Sequence, residues 1–307
     1  MSTVQLTPED FELVSVEEKH ADEITRPPIG YWQDVWMRFR KNRLALIGLV
    51  VLSVMAFFAI VGPIVSPWDY RTMDGSRANE LPSARHWFGT DYLARDLFTR
   101  LWVGTRISVF IGFMAALLDL VIGVSFGGIS GYFGGLVDDV MMRIVDVLFG
   151  IPYLLVVILL LVVMEPGITS IILAMSLTGW TGMARLVRGQ VLQLKEMEYV
   201  LAARAIGASP RRIIARHLIP NTMGVVLVSL TMTIPGAIFG EAFLSFIGLG
   251  VPMPLASLGT MANEGYQLLL IHPHNLIIPS VAISLLILSF NFVGDGLRDA
   301  LDPRLRQ

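Results

Sequence analysis

The chain has 307 residues, 54% of them hydrophobic and 16% charged, with a mean hydropathy of +0.66. Soluble domains carry about 25% charged residues, so a soluble globule and a disordered chain are both excluded. A net charge of −2 argues against nucleic-acid binding, and the absence of cysteine removes disulfides, thiolate metal sites and cysteine nucleophiles.

In chain order, the first 24 residues hold seven acids and one lysine and read as a solvated tail. A membrane-spanning helix needs about 20 mostly apolar residues. Six stretches meet that length, at 44–65, 107–130, 147–164, 166–184, 221–240 and 276–294. Open strands would leave backbone groups unpaired in lipid, and the alternation of a barrel strand is missing. The predicted fold is an all-α polytopic membrane protein with six spans. The first span is too long for a cleavable signal peptide and acts as the targeting signal itself. Between spans one and two, the outer loop carries a predicted amphipathic helix at 91–102, where Leu93, Leu97 and Leu101 recur every four residues. It serves either to touch a partner on the outer surface or to pack on span two. The uncharged stretch 242–262, with Pro252 and Pro254, reads as a loop or re-entrant turn.

Lysine and arginine near span ends set orientation. The loop between spans four and five carries Arg185, Arg188, Lys195, Arg204, Arg211, Arg212 and Arg216, and the next loop carries none. The former is placed in the cytoplasm, with both termini. The loop 66–106 is the exception, because it holds six arginines on the outer side.

Several chemistries are missing. There is no G-x-x-x-x-G-K-[ST] phosphate loop, no H-E-x-x-H and no G-x-S-x-G. His272 and His274 flank Pro273 in an outer loop and read as loop-shaping rather than as a metal pair. Asp119 lies mid-span, where a carboxylate faces either a translocation route or a helix–helix contact. Glu241 falls where span five leaves the bilayer and reads as an interfacial carboxylate. Two carboxylates without basic partners in the spans are thin support for a proton- or sodium-coupled carrier.

The segment 198–220 is the most informative. Its first half is rich in helix formers, Gly207 stands as a helix C′ residue, and Ser209–Pro210 read as N-cap and first residue of a second helix that Pro220 ends. A DNA-binding unit, a basic helix on lipid headgroups, and a knob that docks on a cytoplasmic partner all remain open on the local pattern.

The segment resembles the cytoplasmic E-A-A-x-x-x-G-x9-I-x-L-P loop of bacterial ABC-importer permeases. Ala202, Ala203, Gly207 and Pro220 match it, whereas Leu201 replaces the glutamate and Ile219 the leucine. Elsewhere, residues 32–43 resemble the entry to span one in peptide-type permeases. Residues 88–96 resemble F-G-T-D-x-x-G-R-D, with Ala94 in place of glycine. Residues 131–135, Asp139, Arg143, Asp146, 184–190, 216–221, 241–250, Ser257–Gly259 and 291–304 also match in order. The match is to the C-type permease subunit of oligopeptide and dipeptide importers.

The resemblance implies the type I ABC importer permease fold in a bacterial inner membrane. Its divisions are a tail at 1–30, a first-span region at 31–66, an outer loop at 67–102, a permease domain at 103–298 with coupling helices at 195–219, and a tail at 299–307. It implies a second permease subunit, two ATPases that bind ATP and magnesium, an outer peptide-binding protein and surrounding lipid, with no catalysis and no cofactor in this chain. Glu198, Ala202, Ala203, Arg204, Gly207, Ala208, Ser209, Pro210, Arg211 and Arg212 are the expected ATPase-docking residues. Asp119, Glu241 and Asn291 are the candidate pathway residues. A stand-alone carrier built on Asp119, and transport of glutathione or nickel complexes, are the alternatives.

Overall fold

The computed structural model describes residues 30–73 and 75–301. The acidic tail lies outside the described residues, as do 302–307. Among the described residues the chain is helical, with an isolated bridge between Thr90 and Asp96.

Helix α1 (Tyr31–Phe39) precedes α2 (Arg43–Val65), whose N-cap Asn42 accepts the Ala45 N–H at 3.1 Å. Helix α3 (Leu97–Phe133) is the longest of the set. Then come α4 (Gly135–Gly150), α5 (Tyr153–Val163), α6 (Ile168–Gly179) and α7 (Thr181–Leu194). Two short helices follow, α8 (Glu198–Ala205) and α9 (Pro210–Ile213). A π-helical turn joins α9 to α10 (Ile219–Leu244), and a second π turn extends α10 to Leu249. Helix α11 (Leu258–Gln267) and α12 (His274–Leu301) complete the chain.

Among the described residues, four continuous helices are long and apolar enough to cross a bilayer, and the count reaches six when two bent pairs are each taken as one span. Spans three and four are therefore broken, where straight helices were expected. Ile151 and Pro152 follow Gly150, and α4 and α5 diverge by 83° across that break. Proline supplies no N–H and clashes with the preceding turn, so an unbroken apolar run did not make an unbroken helix. Helices α6 and α7 meet at 42° beside Gly179.

Three further expectations are corrected. The outer-loop helix does not begin at residue 91: residues 91–96 form a tight turn, and the helix starts at Leu97 as the first turns of α3. Pro220 does not end the second cytoplasmic helix, because it sits in the first turn of α10, where its missing N–H costs nothing. The stretch 242–262 is only partly loop, since helical turns continue to Ile247, Gly248 breaks them at φ +92°, and α11 begins at Leu258.

Helix α3 is the central post. Half of its most apolar window is buried, against 22–28% for the other three continuous spans, and α2, α6, α7 and α10 all pack on it. Its contact with α7 is closest along Gly123, Gly127 and Gly131. A Cβ at Gly127 would stand 2.3 Å from the Ala184 carbonyl oxygen. Small residues every four positions let two backbones approach, the route to tight helix packing in lipid.

Candidate functional site

A knob is built on α8, α9 and the turn between them. Gly207 adopts φ +82°, a conformation that costs other residues roughly 1–2 kcal/mol. Its N–H reaches the Arg204 carbonyl and the Ala208 N–H reaches the Ala203 carbonyl, both at 3.0 Å. This paired closure satisfies the free carbonyls at the end of α8. Ser209 is extended and its carbonyl accepts the Ile213 N–H at 3.0 Å, while its hydroxyl makes no capping bond. The backbone thus starts the second helix without the side-chain cap that the sequence suggested.

One face of the knob is fixed to the bundle. Val200, Ile213 and Leu218 are completely buried with Val187 and Val191 of α7 and Val226 of α10. The other face is open. Glu198, Ala202, Arg204, Gly207, Ser209, Pro210, Arg211 and Arg212 are exposed, whereas Ala208 is half-buried and Ala203 faces inward. The structure adds Leu201 and Ile206, the latter 86% exposed, to that open face. Sequence reasoning counted neither among the docking residues, although it noted Leu201 as the replacement for the motif's glutamate. The signal for Leu201 was an apolar residue on the helix face away from the buried Val200 and Ala203.

Helix α7, which leads into the knob, is clamped to α4. Arg188 donates Nε and Nη2 to the two oxygens of Asp138, each at 2.6 Å, and the Ser130 hydroxyl donates to the same carboxylate. Farther along α7, Arg185 pairs with Asp146 at 2.7 Å and lies over the Phe149 ring.

The membrane carboxylates are separate from each other. Asp119 is buried against Gly179 at the α6–α7 break, where a Cβ on Gly179 would stand 2.3 Å from Oδ2. Glu241 is fully buried and accepts the Ser245 hydroxyl at 2.7 Å. Ser257 donates onward to Ser245 at 3.0 Å, and Ser108 of α3 accepts the Leu258 N–H near the same level. Eleven residues of α3 separate Ser108 from Asp119, about 16 Å along the helix. Asn291 is half-buried on α12. Among the described residues no group of three or more His, Asp or Glu could hold a metal ion. The His272 and His274 rings sit edge to face, 6.0 Å apart.

At the start of α3, Asp91 and Glu264 meet Arg95 and Arg100. Arg95 Nε lies 2.7 Å from Asp91 and its Nη2 lies 3.1 Å from Glu264; Arg100 Nη1 lies 2.7 Å from Glu264 and also contacts Asp91. Burial opposes the Arg95 charge, and the two carboxylates more than offset it, raising its pKa above that of a free arginine. Arg106 donates to the Ala59 carbonyl. Two of the six arginines in 66–106, Arg95 and Arg100, are thus buried in ion pairs, which removes them from the count of free charges that sets orientation.

Residues 123–307 match the family described as binding-protein-dependent transport system inner membrane component. The chain belongs to that family.

Residues 30–82 of this permease also match the N-terminal transmembrane domain of oligopeptide transport permease C. It is 53% identical over 304 residues to the dipeptide transport system permease protein DppC of Bacillus subtilis, covering 99% of this chain and 95% of that one. It is 52% identical over 297 residues to the oligopeptide transport system permease protein OppC of the same organism, covering 97% of each. A solved structure of the MetNI methionine ABC transporter in inward-facing conformations aligns with a TM-score of 0.50 at 20% identity, covering 66% of this chain and 97% of that one. The permease therefore has the type I importer fold and is a multi-pass protein of the bacterial inner membrane.

Proposed function

We propose that this permease forms, with a second homologous permease subunit, the pathway by which an ATP-driven importer moves dipeptides or oligopeptides into the cell. Two cytoplasmic ATPases bind ATP and magnesium, and an outer binding protein delivers the peptide. The chain carries no phosphate loop and takes no catalytic role. The observation that carries the coupling is the knob, fixed inward by Val200 and Ile213 and open outward around Gly207. The names of the two Bacillus subtilis relatives support the peptide substrate. Closure of the ATPases pulls the docked α8–α9 pair, and α7 and α10 follow it, so the bundle exchanges two discrete arrangements.

Glutathione is a second reading, because the glutathione transport system permease protein GsiD of Pectobacterium atrosepticum is 40% identical over 93% of this chain. The test is uptake into proteoliposomes holding both permeases and both ATPases, with the binding protein and ATP outside or inside as orientation requires. Labelled dipeptide, oligopeptide and glutathione are compared. Peptide uptake that needs ATP and every subunit is expected. Uptake by this chain alone under a proton gradient would replace the proposal with a secondary carrier.

A further inference from the structure

Helix α1 carries a wider apolar arc than the bundle covers. Val35 and Phe39 are buried against Ala45 of α2 and Ala300 and Leu301 of α12. Trp32 and Trp36 continue the same arc at helical spacing, yet they are 64% and 50% exposed. Beyond them the surface turns basic: Arg40, Lys41 and Arg43 are all exposed within four residues. On the far side of the helix, Asp34 and Arg38 pair with each other at 3.1 Å. On the adjoining end of α12, Arg298 is exposed and Asp299 accepts a bond from Asn42 at 3.4 Å. The apolar span α2 begins at Arg43, so this surface lies at the level where bilayer hydrocarbon gives way to headgroups.

We propose that α1 is an interfacial helix that binds anionic phospholipid, with Trp32 and Trp36 in the acyl–headgroup boundary and Arg40, Lys41 and Arg43 on the phosphates. Tryptophan favours that depth because its ring is apolar and its N–H is polar. Clustered basic residues beside a span attract acidic headgroups, each strengthening the attraction several-fold. The occupant is lipid rather than a protein because the exposed tryptophans are continuous with the lipid-facing start of α2, where Leu44 and Ile47 are 54% and 53% exposed. The assignment rests on a cytoplasmic placement of this end of the chain.

The full transporter complex, purified and placed in nanodiscs, tests it. Native mass spectrometry of complexes taken from phosphatidylcholine with one quarter phosphatidylglycerol should show retained phosphatidylglycerol enriched about tenfold. The triple variant Arg40→Gln, Lys41→Gln, Arg43→Gln should lose most of that enrichment. Equal retention in both would overturn the proposal. A second readout keeps the test independent of any effect on insertion. Phosphatidylcholine brominated on its acyl chains should quench wild-type tryptophan emission more than that of Trp32→Phe with Trp36→Phe. Quenching that appears only after the ATPases are stripped would mean that a protein covers the helix, and would overturn the lipid assignment. A cysteine placed at Gln33 that reacts only from outside would remove the cytoplasmic placement while leaving both lipid readouts standing.

Discussion

Arg100 and Glu264 lie 164 residues apart and meet in a fork, with Nη1–Oε2 at 2.7 Å and Nη2–Oε1 at 3.2 Å. The pair ties the start of α3 to α11, so the N-terminal end of the central post is fixed to the segment between spans five and six. Replacing Glu264 with Gln leaves two buried guanidiniums with Asp91 alone. Breaking a buried pair costs about 3–5 kcal/mol, and because Glu264 is 18% exposed the lower end of that range is expected. Thermal unfolding of the purified complex should report it as a fall of several degrees. An unchanged midpoint would show that the network is dispensable.

Ala94 sits at φ +61° where the F-G-T-D-x-x-G-R-D pattern has glycine. The left-handed conformation costs a residue with a Cβ roughly 1–2 kcal/mol, and burying its methyl returns about 0.8 kcal/mol. Ala94→Gly should therefore leave stability unchanged or raise it by up to about 1 kcal/mol. Chemical denaturation of the two forms side by side gives the comparison, and a clear loss would contradict the strain assignment.

At Gly207 the space is open. A Cβ there would meet nothing within 4 Å, so only the φ of +82° resists substitution. Gly207→Ala should cost about 1 kcal/mol locally and keep most transport. Gly207→Asp adds a negative charge on the docking face. It should insert normally yet lose co-purification with the ATPases and peptide-stimulated ATP hydrolysis. Normal uptake by the aspartate variant would sink the docking role.

Asp119 and Gly179 form a close contact that predicts strong coupling. Gly179→Ala should destabilise by about 1–3 kcal/mol, the cost of overpacking a fitted site. Asp119→Ala in the same chain should recover much of that loss, because the oxygen that the new methyl would strike is gone. A double-mutant cycle with additive effects would show that the two residues do not share the break.

The chain has no cysteine, so single substitutions report sidedness without background. Ile206→Cys in the knob and Leu270→Cys between α11 and α12, at 86% and 97% exposure, should react with an impermeant maleimide from opposite faces of the membrane. Labelling of both from one face would overturn the placement of the loops.

The turn at Gly207 was legible because glycine followed by Ser209 and Pro210 has few other local solutions. The breaks in spans three and four were not, although Pro152 and Gly179 were in view. An apolar run meets the length rule for a span whether or not its helix is straight, and the bend depends on what packs against it.

Composition, local spacing and motif order were enough to mark a membrane permease, to locate its apolar segments and to find the loop crowded with positive charge. They could not say which arginines are neutralised by Asp91 and Glu264, which face of the knob is free, or that Asp119 fills the notch at Gly179. Each of these depends on contacts between residues far apart in the chain, and those distances exist only once α3 has gathered the other helices around it.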